Sequence, residues 1–154
     1  MKWRTWTAIV VLGAAATVHA APPEQLYTLN CWGCHQPHAQ GIAGSVPRLA
    51  GSMGYFVRIP EGRAYLVEVP GVAAAALSDQ EIAAVLNWML LTFSRAQLPA
   101  HFKPYTATEV RKYRTHQLLD VTQTRRRLAA QLKAMGFIVA PDAKPPLSPA
   151  TVEP

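Results

Sequence analysis

Cys31-Trp32-Gly33-Cys34-His35 contains both cysteines of a chain of 154 residues. Two thiols separated by two residues and followed at once by a histidine form the CxxCH pattern of covalent haem attachment. Each thiol can form a thioether to one haem vinyl group, and the two-residue spacer turns the backbone so that both sulfurs reach the macrocycle. The adjacent imidazole then falls beneath the iron as the proximal ligand. Two other readings of a Cys-x-x-Cys pair compete. A redox dithiol belongs at the end of a strand in a βαβ pattern, and no such pattern precedes Cys31. A structural zinc site needs four ligands. Here His38 is near, but His101 and His116 lie far off without paired spacing. The reading is therefore one haem c per chain, held by Cys31 and Cys34, with His35 on the iron.

Upstream of the motif, Lys2 and Arg4 precede a short apolar run at residues 8–16, and Val18-His19-Ala20 supplies small residues for cleavage after Ala20. The run is well short of the roughly 20 apolar residues that cross a bilayer. These features predict a cleaved signal peptide over residues 1–20, a periplasmic location and no stable membrane span after cleavage. Haem attachment of this kind takes place outside the cytoplasm, so motif and leader ask for the same compartment.

Half of the chain is apolar, and the portion beyond the leader is long enough for one domain. A haem adds a large flat apolar body around which a short polypeptide can build a core. The formal net charge of +6 is unevenly placed. Residues 24–95 carry four Lys/Arg against five Asp/Glu, and residues 96–154 carry nine against four. The basic character thus belongs to a C-terminal extension. With no nucleic-acid motif, docking to an acidic protein surface or plain solubility explains it better than nucleic-acid binding.

Residues 24–35 read as a first helix with Leu26, Leu29 and Trp32 or Gly33 facing inward, delivering the motif at its end. Residues 36–76 are rich in Gly and Pro and read mostly as loop with short helical turns. Within them Glu61-Gly62 reads as a turn between extended residues 55–59 and 64–69, which predicts a small β-hairpin. Ser78 followed three residues later by Glu81 is a capping box. It opens the clearest helix, with Ile82, Val85, Leu86, Met89 and Leu90 at helical spacing.

Three segments in this order resemble the class I monohaem cytochrome c family over about residues 22–95. They are the haem motif, Pro47-Arg48-Leu49-Ala50-Gly51, and residues 77–88 with Trp88 near their end. The resemblance implies an all-α fold, a small helical domain around one covalent haem in which the last helix packs across the first. It also implies that the Pro47 carbonyl accepts a hydrogen bond from the proximal histidine, which fixes the tautomer and strengthens the imidazole as a donor.

The family usually places a distal methionine in the loop just before the final helix. Residues 65–76 of this chain hold neither methionine nor histidine. Met53 is the one methionine between His35 and that helix, six residues beyond Pro47. That is at most about 20 Å of extended chain, so ligation by Met53 and mere packing near the haem are both open. Met89 is spaced as a core residue, His101 could fold back from the extension, and His38 is too close to the motif. An iron without a sixth protein ligand is a further alternative. Arg58, Arg63 and Tyr65 are candidates to hydrogen-bond the haem propionates, or else belong to a solvated loop.

The chain thus divides into a leader over 1–20, a cytochrome c domain over 21–95, a helical basic extension over 96–139 and a Pro-rich disordered tail over 140–154. In the extension, Thr106 with Glu109 reads as another capping box starting a helix to Arg114, and Asp120 caps a second helix over 121–135, ended by Gly136. Leu128, Leu132 and Met135 form its apolar stripe, extended by Val121, Thr124 and Arg125. This helix either packs on the haem domain or docks a partner. The expected function is single-electron transfer by Fe(III)/Fe(II) cycling with a redox partner protein, such as a periplasmic dehydrogenase or reductase, without catalytic residues. The alternatives are a haem enzyme or gas-binding protein with an open distal iron, and a haem subunit of a larger oxidoreductase.

Overall fold

The computed structural model describes residues 20–139. The leader, apart from Ala20, and the Pro-rich tail lie outside the described residues. Among the described residues eight α-helices succeed one another: α1 (Pro23–Asn30), α2 (Trp32–His35), α3 (Met53–Phe56), α4 (Pro60–Glu68), α5 (Pro70–Ala73), α6 (Asp79–Phe93), α7 (Ala107–Arg114) and α8 (Val121–Ala134). No strand occurs among the described residues, and a single bridge joins Ile42 to Val46. The fold is all-α.

The central hairpin is not formed. Pro60 stands at the start of α4 after an extended Ile59, where its fixed φ and missing N–H suit a first helical turn. Gly62, read as a turn residue, is inside that helix. A Cβ there would collide with the Phe56 carbonyl, so the glycine serves the close approach of α4 to α3. Tyr65, Leu66 and Val67 are consecutive buried residues. Such a helix, covered on several sides, lacks the one-sided periodicity that reveals a surface helix.

α6 forms as its sequence pattern implies. The Ser78 hydroxyl accepts from the Glu81 N–H at 3.2 Å, and the Glu81 carboxylate accepts from the Ser78 N–H at 2.8 Å. Ile82, Val85, Leu86, Met89 and Leu90 are all buried. The helix crosses α1 through an aromatic cluster, with ring centroids 5.4 Å apart for Tyr27–Trp88 and 5.2 Å for Tyr27–Phe93. The first helix departs from its expected face. It breaks at Cys31, so Leu26 and Tyr27 are buried, whereas Leu29 is 70 % and Trp32 40 % exposed.

α7 and α8 share the core of the preceding helices. Tyr105, Val110, Leu128 and Leu132 belong to the same buried cluster as Phe56, Ile82 and Leu90. Asn87 of α6 clasps the Tyr105 backbone, donating from its amide nitrogen to the carbonyl at 2.9 Å and accepting the N–H at 2.7 Å. The Arg114 guanidinium donates to the carbonyls of Ala73, Ala75 and Leu77 and to Asp79, so α7 pins the link between α5 and α6. At Thr106 only half of a capping box is made. Its hydroxyl accepts from the Glu109 N–H, but the Glu109 carboxylate turns instead to a two-point pair with Arg63 at 2.8 Å. Asp120 caps α8 through the Gln123 N–H at 2.8 Å, and the chain leaves through Gly136 at φ +88°. Leu128 and Leu132 of the expected stripe are buried, while Met135, just past the last turn of α8, is 51 % exposed.

Candidate haem site

The motif is wound as helical turn. The Cys31 N–H donates to the Tyr27 carbonyl at 2.8 Å, the His35 N–H to the Cys31 carbonyl at 2.9 Å and the Gln36 N–H to the Trp32 carbonyl at 2.7 Å. Residues three and four apart share one face of a helix, so Cys34 and His35 are both neighbours of Cys31. The Tyr27 hydroxyl donates to the Gln36 carbonyl at 2.6 Å and ties the end of the turn to the core. The chain then reverses through two left-handed residues, Gln36 at φ 64° and Ala39 at φ 53°. Ala39 is fully buried, and its carbonyl accepts from both the Leu49 and Ala50 N–H groups.

Gly41 completes this reversal at φ +69°, where a Cβ would lie 2.7 Å from the Pro47 carbonyl oxygen. Only glycine allows so close an approach, and it brings Pro47 beside His35. Burial lowers the proton affinity of the His35 imidazole, and the Pro47 carbonyl opposes this only in part. The ring is therefore neutral at pH 7, as an iron ligand must be. That carbonyl stops short of hydrogen-bond geometry with Nδ1, which is buried without a hydrogen-bond partner. Burial, followed by the neighbouring Cys34, pushes the Cys31 thiol up to about 11.

Both cysteines and His35 line a cavity of about 310 Å³, a volume in the range of cofactor sites. Much of the remaining lining is apolar, with residues such as Leu66, Val69, Ile82, Val85 and Leu86. Among the described residues no group of three or more His, Cys, Asp or Glu gathers as a metal cluster. Two thiols, a neutral imidazole with an unspent nitrogen and an apolar wall are what a covalently attached haem requires, and the residues present fit that group.

The remaining sequence candidates divide. Met53 and Tyr65 are buried and line the cavity, as does Met89. His38 and His101 are exposed and stand outside its lining. Arg58 and Arg63 are also absent from the lining. Arg58 donates to the Gln97 and Leu98 carbonyls, both at 2.9 Å, and stacks its guanidinium 4.4 Å from the Phe137 ring centre. Arg63 is taken up by Glu109, by the Lys103 carbonyl and by the Tyr105 ring. Both arginines thus bind residues 97–109 and Phe137 to the central helices. The cations that do line the cavity are Arg48 and Arg125. Arg125 was legible only as an odd member of the α8 stripe, three residues before Leu128.

The cytochrome c family profile matches residues 20–56, which hold the motif, the reversal and Pro47. The chain is 35 % identical over 152 residues to a cytochrome c-552 of Thermus thermophilus, a match covering 87 % of this chain and 98 % of that relative. A second cytochrome c-552 of Thermus thermophilus is 36 % identical over 126 residues, covering 70 % of this chain and 92 % of the relative. Residues 1–95 alone could not supply the first of these shares, so the similarity runs on into α7 and α8.

Proposed function

We propose a function from one premise: the chain belongs to the class I cytochrome c family and is an electron-carrying c-type cytochrome with covalently bound haem c. In this reading Cys31 and Cys34 form the two thioethers, His35 is the proximal iron ligand and Met53 the distal one. The observation that carries it is the convergence of both thiols and the His35 ring on one apolar cavity.

Haem c supplies reversible Fe(III)/Fe(II) cycling when bound. The polypeptide supplies the setting. The helical turn of the motif holds the two sulfurs and the imidazole on one side. The Pro47 carbonyl, placed by Gly41, is poised to accept a hydrogen bond from Nδ1–H after a small adjustment and so to hold the tautomer that leaves Nε2 for the metal. The apolar wall keeps water away, and outer-sphere electron transfer asks for no general acid or base.

The leader read at residues 1–20 and the attachment chemistry support a periplasmic or equivalent compartment, with a dehydrogenase or reductase as redox partner. No helix among the described residues is long and apolar enough to cross a membrane. Lys112 of α7 and the adjacent Arg126 and Arg127 of α8 are exposed, basic groups that suit an acidic partner.

The test is matured protein analysed by mass spectrometry under denaturing conditions, beside the double variant Cys31→Ala/Cys34→Ala. Native protein should keep the mass of one haem, and the variant should lose it. Full covalent loading of the variant would overturn the assignment.

A further inference from the structure

Residues 69–77 supply a run of the cavity lining, through Val69, Pro70, Gly71, Val72, Ala75 and Leu77. Between Val72 and Leu77 stand four alanines. Their methyl groups are too small to anchor a backbone by packing, and α5 ends at the first of them. Among the described residues no main-chain N–H donates to the carbonyls of Ala73, Ala75 or Leu77. A main-chain carbonyl inside a fold needs a donor. Here one side chain supplies all three.

That side chain is Arg114, the last residue of α7. Its Nη1 donates to the Leu77 carbonyl at 2.9 Å, and its Nη2 to the Ala75 and Ala73 carbonyls at 2.9 and 3.1 Å. A further bond, from Nη1 to the Asp79 carboxylate at 3.0 Å, ties the cation to the first turn of α6. A guanidinium is planar, with its N–H donors in a fixed fork, so one rigid group sets the relative places of carbonyls at three alternate positions. The start of the run is held from the same region: the Leu118 N–H, beyond α7, donates to the Glu68 carbonyl at 3.0 Å. Arg114 itself is not among the lining residues, and neither is any other residue of α7. Its charge is met by Asp79, so its influence on the cavity runs through the main chain it holds.

We propose that Arg114 is a positioning residue for the haem: its clasp on the Ala73, Ala75 and Leu77 carbonyls holds residues 69–77 against the cofactor and keeps water from it. This rests on haem c occupying the cavity that both motif cysteines line. Ferric haem carries one positive charge more than ferrous haem, and water stabilises that extra charge. The apolar shell around the iron therefore sets the balance between the two states. A loosened link admits water and favours the ferric form. α7 thus takes part in fixing the potential without touching the cavity.

The experiment compares matured holoproteins of Arg114→Gln, Arg114→Lys and Arg111→Gln with the native protein. Arg111 pairs with the same Asp79 carboxylate but donates to none of the three carbonyls, so it controls for loss of that ion pair. Covalent haem content, spectroelectrochemical potential and hydrogen exchange over residues 69–78 are measured on each. Arg114→Gln should move the Fe(III)/Fe(II) equilibrium roughly tenfold toward ferric, which is about 59 mV lower for a one-electron couple. It should also speed exchange of the Ala74 and Ala75 amides, which donate to the Pro70 and Val72 carbonyls. Arg114→Lys should show a smaller shift, because a compact ammonium spans fewer of the carbonyls. Arg111→Gln should keep the native potential. A native-like potential in loaded Arg114→Gln, even with a lowered melting temperature, would leave Arg114 a merely stabilising role and overturn the proposal, with the haem assignment intact. An equal shift in Arg111→Gln would trace the effect to the Asp79 pairing and overturn it as well. Native protein without covalent haem would overturn the haem assignment itself. If Arg114→Gln fails to load haem, loaded Arg114→Lys decides: a lowered potential with faster exchange supports the clasp, and native values of both overturn it. If neither loads, exchange in native holoprotein decides. Ala74 and Ala75 amides protected to the level of α6 support the clasp, and amides exchanging as in an open loop overturn it.

Discussion

Leu128 sits on α8 with no solvent exposure, and with Leu132 it supplies the apolar anchor of that helix. Replacing it by alanine removes a fully buried isobutyl group from a cluster that also contains Phe56, Ile82 and Leu90. Leu→Ala substitutions at such sites cost about 2–5 kcal/mol, the transfer term plus the cavity left behind. Leu128 should fall in the middle of that range, because the rigid ends of α8 restrict collapse. Asp120 fixes one end, and Gly136 with Phe137 closes the other, the Phe137 N–H donating to the Leu132 carbonyl at 2.9 Å. At roughly 2–8 °C of melting temperature per kcal/mol for domains of this size, holoprotein should melt about 10 °C lower or more. The assay is thermal unfolding monitored in parallel by far-ultraviolet circular dichroism and by the Soret band. Both probes should report one transition, displaced by the same amount, because α8 and the haem-bearing helices share a core. A Soret transition that stays in place while part of the helical signal melts early would refute the reasoning and make residues 107–134 a separate unit.

Two further outcomes concern the site and its surroundings. Met53→Ala should convert a low-spin ferric spectrum with a sulfur-to-iron charge-transfer band into a high-spin one, whereas Met89→Ala should keep the band; the reverse pattern would transfer the ligand role to α6. Asp79 is held below the ordinary carboxylate range by hydrogen bonds from Arg111 and Arg114. A depressed folded-state pKa contributes stability that is present above the unfolded value near 3.8 and lost as pH falls through the folded value. The urea midpoint of native protein should therefore exceed that of Asp79→Asn at about pH 6 and converge on it toward about pH 2. A constant gap over that range would contradict the pairing.

The parts of this fold that the sequence reveals are those whose signals are local. The haem motif is five adjacent residues, and the Ser78–Glu81 box with the apolar positions of α6 reads as a helix because cap and periodicity lie in one segment. The central segment misleads because its glycine and prolines have tertiary or terminal roles. Pro60 and Pro70 open helices, and Gly62 makes room for the Phe56 carbonyl. The face of α1 is misjudged from Leu29 onward because the break at Cys31 cuts the periodicity short. Arg58 and Arg63 do find acceptors, but these are main-chain carbonyls and the half-buried Glu109, about 40 residues away in sequence. Such long-range pairings leave no trace in spacing.

Spectroelectrochemical titration of the matured native protein tests most directly that this chain is an electron carrier. The account requires a fully reversible one-electron transition between low-spin ferric and ferrous forms, with no change of spectrum when carbon monoxide is added to the reduced state. A high-spin iron that binds carbon monoxide, or a reduced form consumed irreversibly by peroxide, would contradict it.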